Sequence, residues 1–176
     1  MEESRSVFKV LSALLSYPDE RLIEDHQELS DLVSRFSNSV VKAKCNDFLA
    51  CVESIPLLGL QEEYTRLFDL NPSTCLNMTF HECGESRERG FALVRLIQLY
   101  KDAGYELSTK ELPDYLPLIL EFLSVCSSET RSKILTLYQS HIAGLASRLG
   151  EQEGCSYAGL VEALSTVVRE LMGKGD

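Results

Sequence analysis

The sequence contains no tryptophan, and it has only three histidines and five prolines among its 176 residues. No apolar run reaches the roughly 18 residues that a membrane-spanning helix needs, so we predict no membrane insertion. The chain also lacks GxSxG, HExxH and a glycine-rich phosphate loop, and no histidine lies beside an obvious nucleophile. These absences argue against an enzyme.

Positive charge is scarce. Lys and Arg number 17 against 27 Asp and Glu, which gives a net charge of −10. Such a surface repels nucleic-acid phosphates and anionic lipids, so we predict that the protein does not bind nucleic acid. The same field attracts basic partners, although acidity can also serve solubility alone.

The chain shows no sign of export. Glu2 and Glu3 precede the N-terminal apolar patch, and no small-residue cleavage site follows it, so we predict a cytoplasmic protein without a secretory signal. The six cysteines at 45, 51, 75, 83, 126 and 155 form no CxxC pair and suggest no disulfide framework. Cys45, Cys51 and Cys126 lie among apolar neighbours, where a thiol acts as a small hydrophobic group.

Apolar residues recur three and four positions apart throughout, and no alternating strand pattern competes. The predicted fold is an all-α, single-domain bundle of about eight helices over residues 1–176, with Gly104 and Gly150 as helix stops. An ordered loop is predicted at 71–84. The predicted helices span about 4–16, 18–36, 39–54, 60–69, 86–103 and 113–126, then from Ser127-Ser128 to Leu149, and finally 156–172.

The predicted helix at 113–126 is apolar around most of its circumference, which indicates a central position in the bundle. Asp114 and Glu121 are seven residues apart, so they share one face of it. A buried carboxylate needs a hydrogen-bonding or charged partner, because removing it from water without one costs on the order of several kcal/mol. Either an internal arginine (Arg87 or Arg89) satisfies Glu121, or both acids rim a groove that receives a partner's positive charge.

The start of the predicted helix at 86–103 is polar. Ser86 is a candidate N-cap, and Glu85 suits the positive helix end. Arg87 and Arg89 lie at the unfavourable end of the helix dipole, so another group should hold them. Gly90 costs about 1 kcal/mol against alanine within a helix, which indicates close approach of a neighbouring helix or of a bound peptide.

Two blocks in tandem, HECGESRERGFALVRLIQLYKDAG from His81 and ELPDYLPLILEFL from Glu111, resemble the NarJ family. NarJ proteins are the dedicated chaperones of membrane-bound nitrate reductase, within the TorD-like group of redox enzyme maturation proteins. LLSYPDERL at 14–22 and EYTRLFDL at 63–70 support the resemblance, which covers about residues 8–125. Tyr115 stands where the wider group often has histidine, which favours the nitrate reductase branch.

The resemblance implies a TorD-like helical fold without catalytic activity or a cofactor of its own. It implies binding to the N-terminal segment of the apo nitrate reductase catalytic subunit before membrane attachment, and assistance with molybdenum cofactor insertion. Proteins that deliver the cofactor are further candidate partners. Carried onto this chain, the peptide-binding residues are Tyr64, Leu67, Phe68, His81, Glu85, Arg87, Arg89, Glu111, Pro113, Asp114, Tyr115, Leu118 and Glu121. By spacing alone, Tyr64, Leu67 and Phe68 favour a core position, and only the resemblance makes a place in the binding groove a comparable alternative.

The alternative hypothesis is a metal- or redox-responsive helical protein. Cys75, His81 and Cys83 lie within nine residues, and thiolate and imidazole are zinc ligands. Their spacing matches no common zinc finger, and a fourth ligand would have to come from elsewhere, with His26 and His141 as candidates. We predict that no metal site is present.

Overall fold

The computed structural model describes residues 2–152 and 156–173. Within these two ranges the chain forms ten α-helices and one π-helical turn, with no strand, so the predicted all-α fold is confirmed. No helix in the same ranges is long and apolar enough to cross a membrane. The helices are α1 Glu2–Leu15, α2 Glu20–Glu24, α3 His26–Ser34, α4 Ser39–Ser54, α5 Leu57–Tyr64, α6 Met78–Cys83, α7 Arg87–Asp102, α8 Leu116–Val125, α9 Ser128–Gly150 and α10 Ala158–Gly173, and the π-helical turn Thr65–Asp69 continues α5.

Local signals set several of the boundaries. Asn38 Oδ1 accepts hydrogen bonds from the backbone N–H groups of Val40 and Val41, at 2.9 and 3.0 Å, and so caps α4. At the end of α7, Gly104 has a φ of 85°, a left-handed conformation that glycine adopts without steric cost. Both boundaries match the sequence prediction.

Two predicted segments differ from the structure. The helix predicted at 18–36 is divided at Asp25, which ends α2 and begins α3. The segment 71–84, predicted as a loop, contains α6. Tertiary contacts stabilise this six-residue helix, because Met78 is fully buried and Thr79 is bonded to a distant carboxylate. Such contacts leave no periodic pattern in the sequence.

The centre of the bundle is α8, as predicted. Seven of its ten residues are buried, and it packs along α1, where Ser12 Oγ donates a hydrogen bond to the Pro117 carbonyl at 2.7 Å. Its last carbonyls accept from the buried guanidinium of Arg131 on α9, with Nε 3.0 Å from Leu123 O and Nη2 3.5 Å from Cys126 O. Helix α10 packs against α9 and α4.

A layer of aromatic rings fills the space between α5, α4 and the start of α10. The ring of Phe68 lies 4.8 Å from that of Tyr64 and 5.3 Å from that of Tyr157, and Tyr157 contacts Phe48 at 4.8 Å. Tyr64, Leu67 and Phe68 are 2%, 0% and 3% exposed. The hypothesis that these three residues present an open apolar face is therefore wrong for this structure, because edge-to-face packing closes the face internally.

Phe68→Ala should lower the free energy of unfolding by about 3 to 5 kcal/mol, since it opens a cavity in this aromatic layer. Leu70→Ala, two residues later at a side chain that is 75% exposed, is the matched control and should change stability by less than about 0.5 kcal/mol. Urea unfolding followed by circular dichroism measures both. Equal, small effects of the two variants would contradict the core position of Phe68.

Candidate functional site

Two distant stretches of sequence meet at the fully buried carboxylate of Asp114. Asp114 Oδ2 accepts hydrogen bonds from the Thr79 backbone N–H at 3.1 Å and from Thr79 Oγ1 at 2.5 Å, while Asn77 Nδ2 donates to Oδ1 at 3.0 Å. Arg89 Nη2 lies 3.5 Å from Oδ2. A carboxylate removed from water is stable only with such partners, so Asp114 holds α6 and the first turn of α7 against the start of α8.

Backbone hydrogen bonds reinforce this junction. Met78 N–H donates to the Asp114 carbonyl at 3.0 Å, and Leu116 N–H donates to the Leu76 carbonyl at 2.8 Å. These are the long-range bonds of an isolated antiparallel bridge between two otherwise irregular segments. The blocks that carry the sequence resemblance are thus joined through side chains and backbone alike.

His81 belongs to the same framework. Its Nε2–H donates to the Cys75 carbonyl at 2.8 Å, so Nδ1 is left as an acceptor and lies 3.3 Å from Arg148 Nη2. Arg148 Nε also donates to the Ser73 carbonyl at 2.6 Å. Partial burial lowers the pKa of His81, and the neighbouring Arg148 charge lowers it further. His81 is a neutral hydrogen-bonding link between the 73–81 segment and α9.

The geometry does not favour the metal hypothesis. Cys75 Sγ lies 4.0 Å from His81 Nε2, but the hydrogen on that nitrogen is already donated to a carbonyl. Burial raises the pKa of the Cys75 thiol, which disfavours the thiolate that binds zinc. Across residues 2–152 and 156–173, no three His, Cys, Asp or Glu side chains are grouped to hold a metal ion. Cys155 lies outside those residues.

The prediction that Asp114 and Glu121 share one helix face is wrong. Helix α8 begins at Leu116, so Asp114 precedes it and is buried, whereas Glu121 is exposed on the helix surface. The alternative that Arg87 or Arg89 satisfies Glu121 is wrong as well, because Arg89 pairs with Asp114 and Arg87 is exposed. Pro117 lies in the first turn of α8, where a proline is readily accepted, so the helix begins after Asp114 and not at Pro113.

The start of α7 also differs from expectation. Ser86 occupies the N-cap position, but its side chain accepts no capping hydrogen bond from the helix. Gly90 is exposed, and a Cβ added to it would meet no atom within 4 Å. Within residues 2–152 and 156–173, no neighbouring helix approaches Gly90 closely, which leaves the alternative of a bound peptide untested.

The residues implied by the resemblance fall into three groups by burial. Tyr64, Leu67, Phe68, Pro113 and Asp114 are buried; His81, Arg89, Tyr115 and Leu118 are partly exposed; Glu85, Arg87, Glu111 and Glu121 are exposed. Tyr115 connects the first two groups, since its hydroxyl lies 2.6 Å from that of Tyr64. Most of the set thus builds or supports the junction, while Leu118 and Glu121 reach the surface together.

Leu118 and Glu121 lie at a partly apolar groove beside α8, and Glu121 is the residue that its two parts share. Glu121 stands between two adjoining depressions of about 350 and 280 Å³, which we call together the α8 groove. The first depression lies toward α1 and α3 and the second toward the 105–109 segment. The first is lined by Lys9, Val10, Ser12, Ala13, Ser16, Asp25, Glu28, Leu29, Leu32 and Glu121, and the second by Tyr100, Tyr105, Glu106, Leu107, Ser108, Thr109, Leu118, Glu121, Phe122 and Val125.

Carboxylates outnumber cations around the α8 groove. Asp25, Glu28, Glu106 and Glu121 line it together with one cation, Lys9. Sequence analysis missed the first three acids, because they come from segments that only the fold brings beside α8. The sequence does indicate one part of the groove locally: Leu118, Glu121 and Val125 are spaced three and four residues apart and therefore share one face of α8.

Another depression of similar size, about 340 Å³, lies between α1, α4 and α10. Its acids already have partners, because Glu3 Oε1 accepts from the Ser37 N–H at 2.6 Å and Glu170 Oε1 accepts from Asn38 Nδ2 at 2.7 Å. No such hydrogen bond engages the Glu121 carboxylate within the described chain. The α8 groove is therefore the better candidate for a cationic ligand.

Comparison with solved structures identifies the class of fold. The helices superpose on the crystal structure of a candidate redox enzyme maturation protein from Archaeoglobus fulgidus with a TM-score of 0.69, covering 94% of this chain and 93% of that one at 23% identity. The fold is thus that of a TorD-like redox enzyme maturation protein.

The family model described as nitrate reductase delta subunit matches residues 34–152. The probable nitrate reductase molybdenum cofactor assembly chaperone NarJ of Bacillus subtilis is 35% identical over 93% of this chain and 89% of its own length. The probable chaperone NarW of Escherichia coli is 37% identical over 90% of this chain, which spans 66% of that relative. The chain belongs to the nitrate reductase delta subunit family.

Asp114→Ala should lower the free energy of unfolding by about 2 to 4 kcal/mol, because it leaves Arg89 and the Thr79 donors without their acceptor. Glu111→Ala removes an exposed carboxylate three residues earlier and should change stability by less than about 0.5 kcal/mol. Urea titrations of both variants test this. If Asp114→Ala left the free energy of unfolding unchanged, the claim that this junction stabilises the fold would be contradicted.

His81 should make stability depend on pH. Its folded pKa lies below that of the unfolded chain, so its contribution is complete above the unfolded value of about 6.5 and is lost as the pH falls toward the folded pKa. His81→Asn should flatten the fall in stability between about pH 7.5 and 5.5. Urea midpoints at several pH values measure this, and parallel curves for the two proteins would contradict it.

Proposed function

We propose that this protein is an assembly chaperone for a nitrate reductase, and that it acts as one all-helical domain without catalytic activity. Its membership of the nitrate reductase delta subunit family supports this, as do relatives named as molybdenum cofactor assembly chaperones. We place its action in the cytoplasm, before the enzyme reaches the membrane. Proteins that deliver the molybdenum cofactor are further proposed partners.

The proposed client is the N-terminal segment of the apo catalytic subunit, and we propose that it binds in the α8 groove. The observation that carries this proposal is the exposed carboxylate of Glu121 between two partly apolar depressions. A leader-like segment is basic and apolar, and an amphipathic helix commonly binds by laying its apolar face in such a groove. Its positive charges would lie against Asp25, Glu28 and Glu106.

The remaining site residues then act from behind the groove. The Asp114 junction fixes where α8 begins, Arg89 holds the start of α7 to that junction, and His81 links α6 to Arg148 on α9. Burial of Tyr64 and its hydrogen bond to Tyr115 support the same segment. In this proposal Leu118 and Glu121 contact the client, while the buried residues position them.

The groove suits reversible binding. Micromolar affinity corresponds to about −8 kcal/mol, which a few apolar anchors and complementary charges can supply while still permitting release. The rim carboxylates are exposed, so salt screens their attraction for a basic segment. Binding by charge should therefore weaken with ionic strength, while the apolar contribution persists.

Glu121→Lys should weaken binding of a synthetic N-terminal peptide of the catalytic subunit by about tenfold or more, because it places a cation against a basic ligand. Glu151→Lys makes the same charge change at an exposed residue outside the groove and is the control. Isothermal titration calorimetry at low and high salt provides the measurement. Equal affinities for the two variants, or no binding by the unmodified protein at tens of micromolar, would contradict the proposal.

A further inference from the structure

Helix α7 presents an exposed face that nothing in the described chain covers. With 3.6 residues per turn, Arg87, Phe91, Val94, Gln98 and Lys101 share this face, which we call the α7 stripe. Phe91 and Val94 are 60% and 64% exposed, although they are large apolar side chains in the middle of a helix. The inner face of α7, by contrast, contributes buried Leu and Tyr side chains to the core.

Gly90 adjoins the α7 stripe. A Cβ at this position would meet nothing within 4 Å, so no internal contact accounts for the glycine. Its presence costs the helix about 1 kcal/mol relative to alanine. Because no described residue approaches Gly90, a glycine beside exposed Phe91 leaves room for the backbone of another molecule to come close.

The charge of the α7 stripe is opposite to that of the protein as a whole. Arg87 and Lys101 lie at its two ends and Arg95 at its side, and none of the three forms an ion pair within the described residues. Helix α7 carries four cations and two acids, whereas the chain has 17 cations and 27 acids. The acids Glu88 and Asp102 lie at the edge of the stripe, and Asp102 accepts a hydrogen bond from Gln98 at 2.7 Å.

This charge pattern selects the occupant. Two α7 stripes packed against each other in antiparallel fashion would bring Arg87 of one copy near Lys101 of the other, and like charges repel. The complementary surface is an apolar depression rimmed by carboxylates. The α8 groove is such a surface, with Glu106 and Glu121 beside apolar Leu118 and Val125.

We propose that the α7 stripe of one molecule docks in the α8 groove of a second copy of this chain. Within one molecule the stripe cannot reach its own groove, because Tyr100 on the opposite face of α7 already lines that groove. The stripe and the groove lie on opposite sides of α7, so one copy donates its stripe to the groove of the next in a heterologous contact, and the smallest assembly is a dimer held by one such contact.

The proposed contact would make client binding compete with self-association. A docked α7 stripe covers the α8 groove, so the empty chaperone protects its apolar surface by self-association and a client displaces the second copy. This consequence rests on the proposed function, whereas the self-association does not. The small apolar area of Phe91 and Val94 is typical of a weak, transient contact, for which we expect a Kd of about 10 to 100 µM.

Sedimentation velocity of the full chain without any peptide tests the proposal, at protein concentrations from about 5 to 500 µM. The unmodified protein should form dimers and, at the highest concentrations, larger head-to-tail assemblies, and both should dissociate at high salt. Phe91→Ser and Arg87→Glu should each raise the dimer Kd by about tenfold or more. The controls Leu58→Ser and Arg66→Glu change an exposed apolar and an exposed basic residue on another element and should leave the Kd unchanged.

A mixing experiment identifies the partner surface. Glu121→Lys damages the groove and Phe91→Ser damages the stripe, so each variant alone should be largely monomeric. Their mixture should form a heterodimer, because it restores one intact stripe and one intact groove. A monomeric unmodified protein at every concentration would overturn the proposal. Undiminished dimers of Glu121→Lys would also overturn it, since the stripe would then bind elsewhere.

Discussion

The buried carboxylate of Asp114 is the interaction on which the rest of the structure depends. Because it lies two residues before Leu116, the first residue of α8, its hydrogen bonds to Thr79 and Asn77 fix where that central helix begins. Arg89 joins the first turn of α7 to the same point. The two sequence blocks that carry the family resemblance are therefore parts of one junction. This junction determines where the exposed residues of α8 lie.

Because the aromatic layer is closed, the candidate binding surface is the groove beside α8 and not the face of Tyr64 and Phe68. Tyr64 and Phe68 pack against Tyr157 and are not available to a ligand in this conformation. What remains open beside α8 is a groove whose acids have come together from three separate segments. An acidic chain that concentrates carboxylates around an apolar groove, yet places cations on α7, has two surfaces of complementary chemistry.

The sequence was sufficient for the features that local physics determines. The end of α7 at Gly104 was predicted from residue type. The range of α4 was also predicted, although its Asn38 cap was not. The burial of α8 followed from its composition. The inward turn of Asp114 could not be predicted in this way, because it depends on contacts with Thr79, 35 residues away. The groove acids likewise share no pattern until the fold assembles them.

Photo-crosslinking tests the central claim most directly. A synthetic N-terminal peptide of the catalytic subunit, with a photoreactive group at an apolar position, is irradiated with the protein and the crosslinked sites are mapped by mass spectrometry. The account predicts crosslinks within Leu116–Val125 and residues 105–109. Crosslinks concentrated at Tyr64–Phe68, with none along α8, would contradict it and show that the aromatic layer opens to receive the client.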